Sequence, residues 1–341
     1  MAILIGVLLA LVVGVLPMVV YALILWWFDR YEKEPLGLLI AAFLWGAIPA
    51  IIFSLITELV LDIPISTFVE PVTANLVGAA VVAPIAEEIF KGTALLLLLL
   101  FFRREIDSPL DGIIYGGLVG FGFAAVENTL YFASTFMESG LGGLALLMVF
   151  RAFLFGLNHA LFTGLTGLGM ALMRTSPNRL VKVGAPIVGL LAGTTAHGIH
   201  NGSMTLGAEL CWPCLLAFIS DWGGVLILLA VIVWASVREQ RVIATFLADE
   251  VERGTLSQSD YEVICSYLKR VAVRTNAFFS GDLRRWWNLG RYYRLATELA
   301  FNKHRLARFA GEKDTQVRIG QLRERVRELR GATHFGSASH L

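Results

Sequence analysis

The chain has 341 residues, 56% of them apolar and only 16% charged, with a formal net charge of +1. Soluble domains carry about a quarter charged residues, so this balance excludes an ordinary soluble protein. Charge is unevenly divided: Met1–Ser236 holds 9 Lys and Arg against 15 Asp and Glu, and the chain from Val237 onward holds 19 against 12.

In chain order, Ile3 to Trp27 is the first apolar run. It lacks the basic start and small-residue cleavage site of a signal peptide, so a membrane helix is predicted. The charged, proline-closed segment Asp29–Pro35 is a loop, and Leu36 to Leu59 is a second span with a kink at Pro49. Asp62–Pro71 holds two prolines and no basic residue. Further spans are predicted over Val72–Phe102, Leu110–Phe132, Leu144–Met173, Val181–Met204 and Leu215–Ala235, each reaching the roughly 20 residues a bilayer requires. The fold class is therefore all-α: a polytopic bundle of about seven spans over residues 1–236, followed by a helical tail over 237–341. Arg30 with Lys33, Arg103 with Arg104, and Arg174, Arg179 and Lys182 occupy alternate loops. By the positive-inside rule the N-terminus lies outside a cell membrane and the tail is cytoplasmic.

In the tail, Gly254 ends a helix over Arg238–Arg253, and Ser257–Asp260 carries good capping chemistry for the next. Leu283–Leu306 puts Leu283, Trp287, Leu295 and Leu299 near one face among many arginines. That face suits either the anionic inner leaflet or a packed helical hairpin. Gln316–Leu329 reads as a charged helix and the last ten residues as disordered. Three cysteines make no disulfide framework; Cys211 and Cys214 form a CxxC without thioredoxin-like context.

Ionisable residues inside spans are costly and mark sites. The third span has Glu87, Glu88 and Lys91, with the lysine three or four residues from either carboxylate and so within reach on a helix. Taken alone, this could be an ion pair that only fixes packing. The fourth span has Glu127 and Asn128, the fifth Asn158 and His159, the sixth His197, His200 and Asn201. Carboxylate oxygen with imidazole nitrogen is the ligand set of a hydrolytic site holding zinc or a similar divalent ion. At about 1.5 Å per residue, Glu127 and His197 lie within a few turns of the outer ends of their spans. Glu87 and His159 lie deeper, and all four can meet in the outer half of the bilayer. Glu58, Asp62 and Asp221 could line a path, although interfacial or paired residues are the plainer reading, and Arg151 reads as snorkelling to the surface.

The series Glu87-Glu88-x-x-Lys91, Phe123-x-x-x-Glu127-Asn128, a span with His159, then His197-x-x-x-Asn201 resembles the motifs of the PrsW family. These are intramembrane proteases of the CAAX-protease and bacteriocin-processing superfamily. The Asp29–Pro35 loop is similar to that family's first loop, and the resemblance covers roughly Met1 to Ala235. The CAAX enzymes have a basic residue where this chain has Gly92 and a histidine where it has Glu127. The resemblance implies proteolysis, with Glu87 or Glu88 activating water and Lys91 and Asn128 as further motif members. Glu127, His159 and His197 would be metal ligands or polarising groups, and Asn201 matches an oxyanion-stabilising position. His200 has no clear counterpart. The residues leave open whether a divalent metal, zinc first among them, is required.

The expected substrate is a single-span membrane protein, such as an anti-sigma factor, cut near its extracytoplasmic side. A proton- or ion-coupled transporter would also use intramembrane Glu, His and Lys, but no pair of similar halves is visible. A non-catalytic membrane scaffold is the third reading. The lipid bilayer is an expected partner and nucleic acid is not; the oligomeric state is left open.

Overall fold

The computed structural model describes residues 2–29, 31, 33–207, 210–308 and 313–334. Arg30 and Glu32 of the first loop, and residues 335–341 of the end expected to be disordered, lie outside the described residues, as does the Cys211 side chain; residues 332–334 of that end are helical instead. Among the described residues all regular structure is helical. Helix α1 spans Ala2–Phe28, and α2 (Leu36–Trp45) runs through a π-helical turn, Gly46–Ala50, into α3 (Ile51–Phe68). The turn contains Pro49, whose missing N–H is the cause of the break. Likewise α4 (Pro71–Val77) runs through the π-helical turn Gly78–Val82 into α5 (Ala83–Phe101). Helix α6 spans Pro109–Met148 and continues as a third π-helical turn, Val149–Leu154; α7 is Asn158–Thr175, α8 Arg179–Gly207 and α9 Cys211–Glu252.

Among the described residues, five stretches are long and apolar enough to cross a membrane: Ile3–Phe28, Leu36–Phe68, Pro109–Thr175, Arg179–Gly207 and Trp212–Glu252. The expectation of seven crossings differs at two places. Pro109–Thr175 has 67 residues, about three times the ~20 that one crossing needs. It is interrupted at Gly140, where φ is 64°, and at Phe155–Leu157. The run 71–101, which carries Glu87, Glu88 and Lys91, is not among the five. Rows of exposed Leu, Ile, Val and Phe on α1, α2, α3 and α9 give the bundle the apolar exterior that lipid requires.

The centre of the bundle is the first half of α6, buried on every side from Pro109 to Ala125. Its start is set by Ser108, whose hydroxyl accepts the N–H groups of Leu110 and Asp111 while Asp111 accepts the Ser108 N–H. Gly112, Gly116 and Gly120, four residues apart, form a rail on which α7 lies. A Cβ at these positions would collide with the carbonyls of Gly167, Thr163 and His159. Without a hydrophobic drive between helices in lipid, such small-residue rows permit the backbone approach that packing needs. Gly189 and Gly193 do the same for α8 against the carbonyls of Leu165 and Phe162, and the next residue of that row is His197. Two glycine rows therefore set His159 and His197 at fixed depth.

The chain divides into two compact units: Met1–Asp29 with Glu34–Val233, and Arg30–Lys33 with Trp234–Leu341. The boundary falls inside α9, which passes without a break beyond Ala235, where the last span was expected to end. In the second unit α10 (Gln258–Ile264), α11 (Tyr267–Phe279), α12 (Leu283–Arg308) and α13 (Lys313–His334) pack with the end of α9. Their core includes Leu256, Ile264, Tyr292, Leu299, Leu322 and Val326. Buried Glu250 is paired with Lys303 and Arg323 at 2.8 and 2.7 Å. Helix α9 stops before Gly254, whose φ of 68° suits glycine.

Candidate active site

Helix α5 buries Glu87, Glu88 and Lys91 on one face, with 4%, 0% and 0% of their surfaces exposed. The Lys91 ammonium donates to Glu87 Oε2 and Glu88 Oε1, each at 2.9 Å, and lies 3.1 Å from His159 Nδ1. It also sits 3.9 Å above the Phe123 ring. All three ammonium hydrogens thus have acceptors, and His159 Nδ1 accepts. The other His159 nitrogen, Nε2, then carries hydrogen and faces Glu127 Oε2 at 2.9 Å. Glu88 is enclosed: Thr163 donates to its Oε2 at 2.9 Å, and His197 Nδ1 lies 3.2 Å from its Oε1. His197 Nε2 points instead toward Glu87 Oε2, at 3.8 Å. His197 is stacked on Phe162, with ring centres 4.7 Å apart and planes at 16°.

His159 does not lie within a continuous helix, as the expected span Leu144–Met173 would have it. The chain breaks at Phe155–Leu157, and His159 is the second residue of α7. Gly156 fits this break because a Cβ there would strike the Ala152 carbonyl. Asn158 Oδ1 accepts the His159 N–H at 2.8 Å, and Asn158 Nδ2 lies 3.2 Å from His200 Nε2. His200 Nδ1 is 2.6 Å from Asp221 Oδ2 of α9. His200, without a counterpart in the motif series, thus links α9 through Asn158 to the start of α7.

Arg151 corrects a second expectation. It does not snorkel outward: Nη2 is 2.6 Å from Glu127 Oε2, and Nε donates to Asn128 Oδ1 at 2.9 Å. The guanidinium also stacks over Tyr131 at 3.9 Å. Two polar acceptors in an apolar bundle offer it more than a distant interface does. The signal was available, since Arg151 is the sole Lys or Arg between Arg104 and Arg174.

A cavity of about 1210 Å³ is lined by Glu87, Glu127, Asn128, Arg151, Asn158, His159, His200 and Asn201. It runs on past Glu58 to Asp62, Asn75, Thr205 and Cys214. Asn75 is twelve residues before Glu87, about 18 Å of helix. Glu88, Lys91 and His197 stand behind this wall. Glu87 is therefore the carboxylate of the pair that meets the cavity, where a base could take a proton from water.

Glu87, Glu88, His159 and His197 each offer a donor atom, and these atoms lie within 4.8 Å of one another. Two carboxylate oxygens and two imidazole nitrogens fit a divalent ion, and the Glu88 contact at His197 Nδ1 is of the kind that orients a liganding imidazole. Binding by all four would require the Lys91 ammonium to withdraw from between them. Glu127, expected among the ligands, adjoins this group through His159 and is occupied by Arg151.

A helical membrane bundle with a carboxylate–imidazole centre buried beside a polar cavity defines the class. A family model described as PrsW family intramembrane metalloprotease matches residues 34–240, and the chain belongs to that family. It is similar to the Protease PrsW of Geobacillus kaustophilus (strain HTA426), 33% identical over 148 residues, which are 41% of this chain and 55% of the relative. It is also similar to the Protease PrsW of Clostridioides difficile (strain 630), 35% identical over 106 residues, 31% of this chain and 43% of the relative. The chain thus spans about half the length of these curated relatives. No solved structure matches it.

Proposed function

We propose that this protein is an intramembrane endopeptidase that cuts a single-span membrane protein, an anti-sigma factor being one such substrate, near its extracytoplasmic side. The observation that carries the reading is Glu87 on the cavity wall, tied through Lys91 to Glu88 and His159. Glu87 takes a proton from water as the water oxygen adds to the peptide carbonyl. Donors from Arg151, Asn128 and Asn201 face the same cavity and suit the developing oxyanion. The C–N bond then breaks and the proton passes from Glu87 to the leaving amine, restoring the carboxylate. Lys91 and Thr163 hold Glu88, which keeps α5 in register with α7. In a metal-dependent variant of this route, with Lys91 withdrawn, Glu87, Glu88, His159 and His197 would hold a divalent ion, zinc first among the candidates, which would polarise the carbonyl and acidify water in place of a free Glu87 base.

The proposed side of cleavage rests on the loop charges. If the seven spans read from the sequence hold, with the N-terminus outside and the tail in the cytoplasm, then Asp62, Asn75 and Cys214, which line the far part of the cavity, lie toward the outer surface. A substrate helix unwinds more readily near that interface than at mid-bilayer. The test is mass spectrometry of fragments from a reconstituted single-span substrate, with metal content measured on the same preparation. Glu87→Gln should abolish the cut while the protein stays folded and inserted. Full activity of that variant would overturn the assignment, and a cut on the cytoplasmic side would overturn the sidedness.

A further inference from the structure

The family match ends at residue 240, and the helices beyond it carry a surface of their own. Helix α11 has two faces. Arg270 and Ala277, seven residues apart, are buried, and Arg270 donates to the Ile264 carbonyl and to Thr297 at 2.6 and 3.0 Å. On the other side, Leu268, Val271 and Phe279 follow helical spacing and are 77%, 42% and 81% exposed. Helix α12 then opens with Leu283 and Trp287, 59% and 60% exposed, although Leu295 and Leu299 of the same helix are in the core.

The rings form one ridge: Phe279 to Phe278 at 5.5 Å, Phe278 to Trp286 at 6.0 Å, Trp286 to Trp287 at 6.4 Å. Cations surround it. Lys269, Arg284 and Arg291 are exposed, and Arg274 lies 4.8 Å over Trp286. Residues 267–294 hold seven Lys and Arg against a single acid, Asp282, which caps the Arg285 N–H at 2.9 Å.

Apolar rings and leucines within a cationic border match an anionic bilayer surface, where the rings enter the headgroup boundary and the cations meet phosphate. The same chain carries stretches apolar enough to cross a membrane, so a bilayer is within tether of this ridge. We propose that the α11–α12 ridge docks on the anionic phospholipid surface of the membrane the chain spans, through Leu268, Phe279, Leu283 and Trp287. This is independent of the protease reading.

The test uses the full chain in nanodiscs of phosphatidylcholine, with or without phosphatidylglycerol. A nitroxide is attached through Phe279→Cys after Cys211, Cys214 and Cys265 are replaced by serine. In anionic discs the label should become accessible to oxygen and closed to a nickel chelate. Arg284→Ala should lower the docked-to-free ratio about fivefold, from about 1 kcal/mol per basic residue at such a surface. A label at the exposed Arg325 position of α13 should stay open to the chelate in both discs. If the cysteine-free chain does not fold, quenching of tryptophan emission by brominated lipid, compared between the native chain and Trp287→Tyr, gives the same reading. A label at 279 that stays open to the chelate in anionic discs overturns the proposal. So does equal shielding in zwitterionic discs and in detergent, which would mean that protein covers the ridge.

Discussion

Lys91→Met removes the cation that two buried carboxylates share. At 2.9 Å and an effective dielectric constant of about 20, each contact is worth about 6 kcal/mol before desolvation is charged against it. Much of that gain is cancelled by burying the charges, so the useful figure is the cost of leaving carboxylates uncompensated, about 3–5 kcal/mol. The loss should appear as a lower unfolding free energy in mixed micelles titrated with sodium dodecyl sulfate. The same substitution in a Glu87→Gln, Glu88→Gln background should cost less, because no charge is then left unpaired, with a coupling of about 1–3 kcal/mol. Equal losses in both backgrounds would refute the reasoning and leave Lys91 as packing volume only.

Arg151→Lys should lower cleavage by about a hundredfold, because an ammonium lacks the planar fork whose Nη2 and Nε reach Glu127 and Asn128 and small misplacements cost that much; steady-state kinetics on a reconstituted substrate check it. Gly120→Ala should destabilise the bundle by about 1–3 kcal/mol through overpacking, since its Cβ would meet the His159 carbonyl; unfolding in mixed micelles reads this loss. In the loop before α2, burial and then the charge of Asp111 push Glu34 up to about 11, and Tyr115 donates to it at 2.6 Å. Raised above its unfolded value, this acid binds more proton in the folded state. Its contribution is therefore fully present below about pH 4.5 and falls with rising pH by at most about 1.4 kcal/mol per unit. Glu34→Gln should flatten that slope between pH 5 and 9 in parallel unfolding series.

The grouping of Glu87, Glu88, Lys91, His159 and His197 was legible because charges and imidazoles are conspicuous in apolar runs and three- or four-residue spacing puts them on one face. The glycine row 112, 116, 120 was legible in principle too, as a G-x-x-x-G pattern. What could not be read was where helices break. Pro49 announces one π-helical turn, but Gly78–Val82 and Val149–Leu154 contain no proline. Only the assembled bundle shows that Arg151 turns inward and that Asp221 meets His200. The opposite error occurred in α9, where no Gly or Pro lies between Gly224 and Arg253 and nothing stops the helix at Ala235. In α12 the face read as continuous divides, because Leu295 and Leu299 are buried in the tail core whereas Leu283 and Trp287 are exposed.

The π-helical turns have a consequence for how related chains compare. Gly46–Ala50 and Gly78–Val82 each hold an extra residue without ending their helix, and one residue of α-helix corresponds to about 100° of rotation. Gly78–Val82 therefore works as an index stop: it turns the faces of α4 and α5 relative to one another although the two run on without a break. A relative lacking one residue there could recover the direction of Glu87 by tightening the turn elsewhere in the same helix. A residue lost between Glu87 and Lys91 would instead swing the ammonium away from both carboxylates. Chain length between the motifs should accordingly drift by single residues among relatives, whereas spacing inside them should not.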